Sequence, residues 1–265
     1  MRHGFVDTRH GQVHYVEHGT GYPVLLLHQT PRSWDEYRDV VPELGRDFRT
    51  IALDTPGFGA SARPPGEWSI ELFAAAVLDV CHGLGLDRVA VVGHHTGAVV
   101  ALEAAATAPA RIDALVLSAM PFVDAARREA VARRPPIDHV VPAEDGSHLV
   151  QLWRNRAAFY PSDRPDLLDR FVRDALAVLD RVDEGHQAVN RYRMEDRIGA
   201  VRAPTLALCG ELDEFSLPSL PKVVAAIPGA RSALLPATGV AAVDHMPERF
   251  TDAVRGFLHE LGLGG

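Results

Sequence analysis

Two short apolar runs in this sequence end in histidine. His28 closes Val24-Leu25-Leu26-Leu27, and the pair His94-His95 follows Val89-Ala90-Val91-Val92-Gly93. His95 stands between Gly93 and Gly97, two residues away on either side. Glycines so placed relieve the crowding of a sharp strand-to-helix turn and leave the central side chain raised. An imidazole, with an ordinary pKa of about 6.5, is poised as a base at neutral pH. Held at such a turn, His95 could take a proton from water or from a substrate C–H or O–H. It could also attack a carbonyl and form an acyl-imidazole. That route ranks lower, because the intermediate would need its own base for release. Asp213, shortly after Leu206-Ala207-Leu208-Cys209, could orient an imidazole or simply close its turn. His28, His94, His95 and Asp213 are metal-ligand types. No His-x-x-x-His or Cys-x-x-Cys spacing links these four into a site, so neither metal nor cofactor is expected.

The residues around them imply strands and helices in alternation. Short apolar runs at 24–27, 50–53, 89–92, 115–117, 206–208 and 233–235 suit strands buried on both faces. Ser33-Trp34-Asp35-Glu36 reads as a capping box, and Ser69 as the cap of a helix through Phe73 and Val80. The last helix carries Phe250, Val254, Phe257 and Leu258 at helical spacing. Gln12 to Val16 reads as part of an N-terminal hairpin. Alternation of this kind implies a mostly parallel sheet flanked by helices. Residues 122–200 break the rhythm. They read as an inserted helical cap, leaving 1–121 and 201–265 as the core domain.

Composition excludes several classes. Hydrophobic residues make up 47% and charged residues 23%, as in an ordinary globular chain. The net charge of −8 argues against nucleic acid or an anionic membrane as partner. No apolar run approaches the roughly 20 residues of a membrane helix, and the first residues lack a secretory core. The expected partner is a small-molecule substrate, with a homodimer as one expectation for assembly. Cys81 and Cys209 make no disulfide framework, so a cytosolic, reduced setting is expected. Lys222 is the only lysine among 27 Lys and Arg, which reads as base-composition bias.

Five landmarks resemble the α/β-hydrolase family. Leu25-Leu26-Leu27-His28-Gln29-Thr30-Pro31 is similar to its first oxyanion-hole turn, and Asp54-Thr55-Pro56-Gly57-Phe58-Gly59-Ala60-Ser61 to a recurrent loop. Val91-Val92-Gly93-His94-His95-Thr96-Gly97 sits where its nucleophile elbow belongs. Pro204 to Asp213 resembles the strand and turn that carry the acid, and Pro247-Glu248-Arg249-Phe250 opens the usual final helix. The resemblance implies an α/β fold of about eight strands, a pocket between cap and sheet, and hydrolysis of an ester, lactone or C–C bond.

The chain departs from the family pattern in its chemistry. The elbow pattern is Gly-x-Ser-x-Gly, and here the central residue is His95. The family's base histidine lies about seven residues before the final Pro-Glu, a place held by Val240; His245 is nearby but out of register. Gln29 replaces the usual glycine after the first strand's histidine, although its N–H could still serve an oxyanion. A Ser-His-Asp triad therefore cannot be written. The expected catalytic set is His95, Asp213 and His245, with the Gln29 and Thr96 amides as oxyanion donors. His28, Thr30, Trp34, His94, Phe122 and Trp153 are the expected pocket residues, with Phe58, Phe159 and Tyr160 as further aromatic candidates. The expected function is cofactor-free hydrolysis of a small apolar carbonyl compound, with His95 as general base. Alternatives are a lyase, isomerase or cyclase that moves protons through His95, or a degenerate protein that only binds a ligand.

Overall fold

The computed structural model describes residues 1–264. Each apolar run becomes a strand of one eight-stranded sheet: β1 (Arg2–Thr8), β2 (Gly11–His18), β3 (Pro23–Leu27), β4 (Arg49–Leu53), β5 (Val89–His94), β6 (Ile112–Ser118), β7 (Thr205–Gly210) and β8 (Arg231–Leu235). Their spatial order is β1-β2-β4-β3-β5-β6-β7-β8. The hairpin β1–β2 runs antiparallel and β2 joins β4 antiparallel; all later pairings are parallel.

The unbroken apolar runs follow from this layering. Successive side chains of a strand point to opposite faces, and here both faces are covered. Leu25, Leu27, Val91 and Leu117 pack on one side against α2 (Ile70–Gly83) and α3 (Thr96–Thr107). Val24, Leu26, Val92 and Val116 pack on the other against α1 (Val40–Leu44) and the final helix (Pro247–Glu260). Ser69 caps α2 by accepting from the Leu72 N–H.

The predicted capping box forms only in part. Ser33 Oγ accepts from Asp35 N–H at 3.3 Å and starts a short 3-10 turn, Trp34–Tyr37. Glu36 does not reach back to the cap. Its carboxylate turns inward to Gln29, whose buried N–H is the nearer unsatisfied donor.

Between β6 and β7 the chain forms α4 (Ala125–Ala132), α5 (Ser147–Ala157), α6 (Pro165–Leu176) and α7 (Glu184–Arg191), with no strand. Leu152, Leu167, Leu168, Phe171 and Ala175 give these helices a small core of their own. Arg32 ties them to the sheet. It is fully buried and pairs with Asp244, with Asp174 of α6 at 3.0 Å and with Asp35 at 3.5 Å. Arg170 of α6 returns the contact at 2.8 Å to Asp35. After β7 come α8 (Leu220–Ala226), α9 (Ala242–His245) and the final helix, α10. Among the described residues no helix is long and apolar enough to cross a membrane.

Arg32→Met leaves the Asp244 and Asp174 carboxylates without their buried cation. Breaking one side of such a cluster costs about 3–5 kcal/mol, a large share of a typical folding free energy. Urea unfolding should show that loss. A change under about 1 kcal/mol would mean that water already reaches the cluster.

Candidate active site

The turn from β5 into α3 is the sharpest in the core. His95 sits at φ 47° and ψ −111°, a conformation that strains any side chain with a Cβ. Its backbone N–H donates to the Ser118 carbonyl at 2.9 Å and ties the turn to β6. A Cβ on Gly93 would run into the Gly97 carbonyl, and one on Gly97 into the Leu27 carbonyl. Both glycines are therefore needed for α3 to lie this close to β3 and β5. The expected elbow frame is present, with an imidazole at its tip.

His94 lies beneath and is fully satisfied. Its Nε2 meets the Val240 carbonyl at 3.0 Å, which can only accept, so Nε2 carries the proton. Its Nδ1, at 3.0 Å from Ser118 Oγ, is then the acceptor. The two rings meet edge to face, with centroids 4.6 Å apart.

His95 faces Asp213. Asp213 is fully buried, and its Oδ1 accepts from the N–H groups of Phe215 at 3.0 Å and Ser216 at 2.9 Å. That leaves Oδ2 turned toward His95 Nε2 at 4.0 Å. Both of these atoms are buried and have no other hydrogen-bond partner. The gap is about 1 Å longer than a hydrogen bond. Nδ1 of His95 is neither buried in this way nor claimed by a neighbour, so it is the ring nitrogen open to a substrate. Burial, helped by the nearby His94, Arg156, His186 and Arg127, holds the imidazole well below its usual pKa. His95 is thus neutral at neutral pH.

A cavity of about 1150 Å³ opens above His95, between the strand ends and the inserted helices. Its apolar lining includes Pro121, Ile137, Phe159, Phe215 and Val240. Arg127, Arg128, Arg134, Arg156, Arg191 and His186 line it too, and the Arg156 guanidinium lies 5.3 Å over the Phe159 ring. Arg156 grips both oxygens of Asp138. His186 Nδ1 lies 3.5 Å from Asp138 Oδ2, and burial lowers its pKa to about 4. Asp138, Asp183 and His186 offer ligand atoms within 4.8 Å of one another. With both Asp138 oxygens committed to a guanidinium and Arg127 nearby, this donor set suits an internal ion pair better than a bound cation.

Comparison with known proteins agrees with the layering. Residues 22–239 match the alpha/beta hydrolase fold family. The chain belongs to that family. It is 42% identical over 90 residues to a soluble epoxide hydrolase of Corynebacterium sp. (strain C12), which covers 34% of this chain and 32% of that protein. It is 33% identical over 141 residues to haloalkane dehalogenase 2 of Mycobacterium tuberculosis (strain ATCC 25618 / H37Rv), covering 51% of this chain and 49% of the other. These matches span about a third to a half of the two relatives' own lengths. A solved hydrolase from Pseudomonas aeruginosa PA01 superposes with a TM-score of 0.82 at 24% identity, over 97% of this chain and 98% of that one.

Several expected site residues of this family member lie elsewhere. Gln29 lines the cavity, but its N–H is taken by Glu36 Oε2 at 2.8 Å and its side-chain amide by Glu36 Oε1 at 2.5 Å. It therefore offers no free oxyanion donor. Thr96 opens α3, so its N–H has no acceptor within the helix. His245 is outside the cavity. The short helix α9 winds it past Val240 to lie 3.3 Å from Thr238 Oγ1. Of the expected pocket residues, His28, Thr30, Trp34, His94, Phe122 and Trp153 do not line the cavity. His28 joins the Gln29 carbonyl to the Thr55 N–H, and Thr30 pairs with the Thr96 hydroxyl at 2.9 Å. Trp34, Phe122 and Trp153 pack, half-buried, against three different cores. Phe58 and Tyr160 are buried in those cores too; Phe159 alone of the aromatic candidates meets the cavity.

Arg127, Arg156 and His186 are the residues the spacing did not reveal. His186 reads as a surface histidine from sequence, and no period marks these helices' inner faces as cavity walls. The expected apolar pocket is apolar only in part, with five arginines in its lining.

Three measurements follow from this geometry. Gly97→Ala should destabilise by about 1–3 kcal/mol through the clash with Leu27, whereas Gly256→Ala, exposed on α10 with open space at its Cβ, should stabilise by about 0.5–1 kcal/mol. The histidine C–H resonances should show His186 titrating near pH 4 and His95 titrating well below the usual 6.5. Because both folded pKa values lie below the unfolded one, their contribution to stability is complete above about pH 6.5 and declines as pH falls. A His186→Gln variant should lose less stability than wild type between pH 7 and pH 4.5.

Proposed function

We propose that this protein is a cofactor-free hydrolase of a small carbonyl compound with an apolar body, an ester, lactone or C–C substrate, with His95 as general base. The observation that carries the reading is the pairing of two otherwise unpartnered buried atoms, His95 Nε2 and Asp213 Oδ2, 4.0 Å apart. Apo geometry is commonly loose and tightens when substrate binds. Closing the gap by about 1 Å gives an Nε2–H···Oδ2 hydrogen bond. That bond fixes the tautomer and leaves the Nδ1 lone pair facing the cavity.

In the proposed step Nδ1 takes a proton from water, and the resulting hydroxide adds to the carbonyl carbon. Asp213 stabilises the imidazolium that forms. The negative charge that develops on oxygen is met by the Thr96 N–H at the start of α3. The tetrahedral intermediate collapses and the imidazolium returns its proton to the leaving group. Names of relatives such as soluble epoxide hydrolase and 2-hydroxy-6-oxo-2,4-heptadienoate hydrolase support water-consuming chemistry as the starting hypothesis. One observation favours a second reading. With the Gln29 N–H committed to Glu36, a tetrahedral oxyanion has a single backbone donor. Proton transfer without water, as in a lyase or isomerase, asks less of that hole.

A panel of esters, lactones and β-diketones, followed by mass spectrometry in ¹⁸O-labelled water, separates these readings. His95→Ala should lower kcat/KM by about 10²–10⁴, and Asp213→Asn should lower it less. In wild type, kcat/KM should stay level from neutral pH to well below 6.5, since the base is already neutral there. Turnover by His95→Ala at the wild-type rate sinks the base assignment. Product without label points to proton transfer, and ligand binding without turnover in either protein points to a binding role.

A further inference from the structure

The arginines of the cavity are not equivalent. Arg156 is held by Asp138, Arg128 by Glu195 at 2.8 Å, and Arg191 by Glu67 at 3.0 Å. Arg134 stands exposed at the rim. Arg127, on the inner side of α4, has no ion-pair partner among the described residues, and its Nε is buried without a hydrogen bond. A guanidinium does not discharge in proteins, so this is a standing positive charge on a half-buried side chain. Such a charge is expensive unless something pairs with it. It shares the cavity with His95.

We propose that Arg127 receives a carboxylate of the substrate, so that the protein takes anionic carbonyl compounds and selects against their neutral counterparts. This rests on the same cavity being the catalytic one. A planar fork of N–H donors matches the two oxygens of a carboxylate. Arg134 is also without an ion-pair partner among the described residues but is exposed to water, so one half-buried cation is left to match one negative charge. A phosphate dianion would leave a second charge facing Asp183 and Glu214, which line the same space. Ile137, Phe159 and Val240 of the same lining take the apolar body. The substrate class becomes an acid that carries a hydrolysable carbonyl group some distance from its carboxylate, such as a half-ester of a dicarboxylic acid.

The test uses unreactive probes first. Benzoate should bind wild type and His95→Ala alike by calorimetry, and should bind Arg127→Gln about 10- to 100-fold more weakly. Its neutral isostere benzamide should show no such difference. Arg127→Gln without ligand should be no less stable than wild type in urea, since it removes an unpaired charge. In turnover, the preference for a dicarboxylic half-ester over its diester should fall by the same factor in Arg127→Gln, chiefly through KM. Arg127→Lys should recover part of it. Equal benzoate binding by Arg127→Gln and wild type would overturn the proposal, as would tight inorganic phosphate binding with no benzoate binding. The two readings fail separately. Arg127-dependent benzoate binding with full activity in His95→Ala removes only the base assignment. Loss of activity in His95→Ala, with substrate preference unchanged in Arg127→Gln, removes only the carboxylate site.

Discussion

The chain must pass from β5 into α3 at one residue, and the available space there admits only hydrogen on either side. Gly93 and Gly97 lie against the carbonyls of Gly97 and Leu27, so α3 can approach the two central strands closely. That approach forces His95 into a left-handed conformation and raises its side chain above the sheet. Everything else in the site is placed by reference to this point. β7 brings Asp213 alongside, the first strand's loop brings Thr30 onto Thr96, and the inserted helices roof the space between.

Electrostatics divides that space. On the sheet side the polar groups are few and almost all are committed. His94 is satisfied at both nitrogens, His28 joins two loops, and Glu36 occupies Gln29. What remains unpartnered is the facing pair of His95 and Asp213. On the helical side, cations outnumber anions, and their field adds to burial in keeping His95 neutral. A base must be unprotonated before it can act, so the two sides complement one another. A bound anion would also weaken that field and make the imidazole a stronger base when substrate is present.

The core was legible because its physics is local. A strand covered on both faces needs an unbroken apolar run, and a sharp turn needs small residues at fixed offsets. The strands from Pro23–Leu27 to Arg231–Leu235 and the Gly93–Gly97 frame follow from those rules. The roof was not legible in the same detail. Its helices bury their apolar faces in a small core of their own, so their periodicity reports on that core and says nothing of the polar faces turned to the cavity. Arg127, Arg156 and His186 are indistinguishable in sequence from solvated residues. Trp34, Phe122 and Trp153 fail as pocket residues because each packs, half-buried, against one of the apolar cores instead. Glu36 shows how one residue type serves two local solutions. Its spacing from Ser33 suits a cap, but a buried N–H at Gln29 claims the carboxylate first.

The elbow fixes where a side chain stands without fixing which one it is. Its glycines, its strain and the N–H of the following helix would serve any residue at position 95. Histidine codons differ from aspartate codons by a single base, whereas serine lies two changes away. A lineage carrying this frame can therefore exchange a neutral imidazole for a carboxylate in one mutational step. In this protein the scaffold preserves a place for chemistry, and the genetic code sets which chemistries are its neighbours.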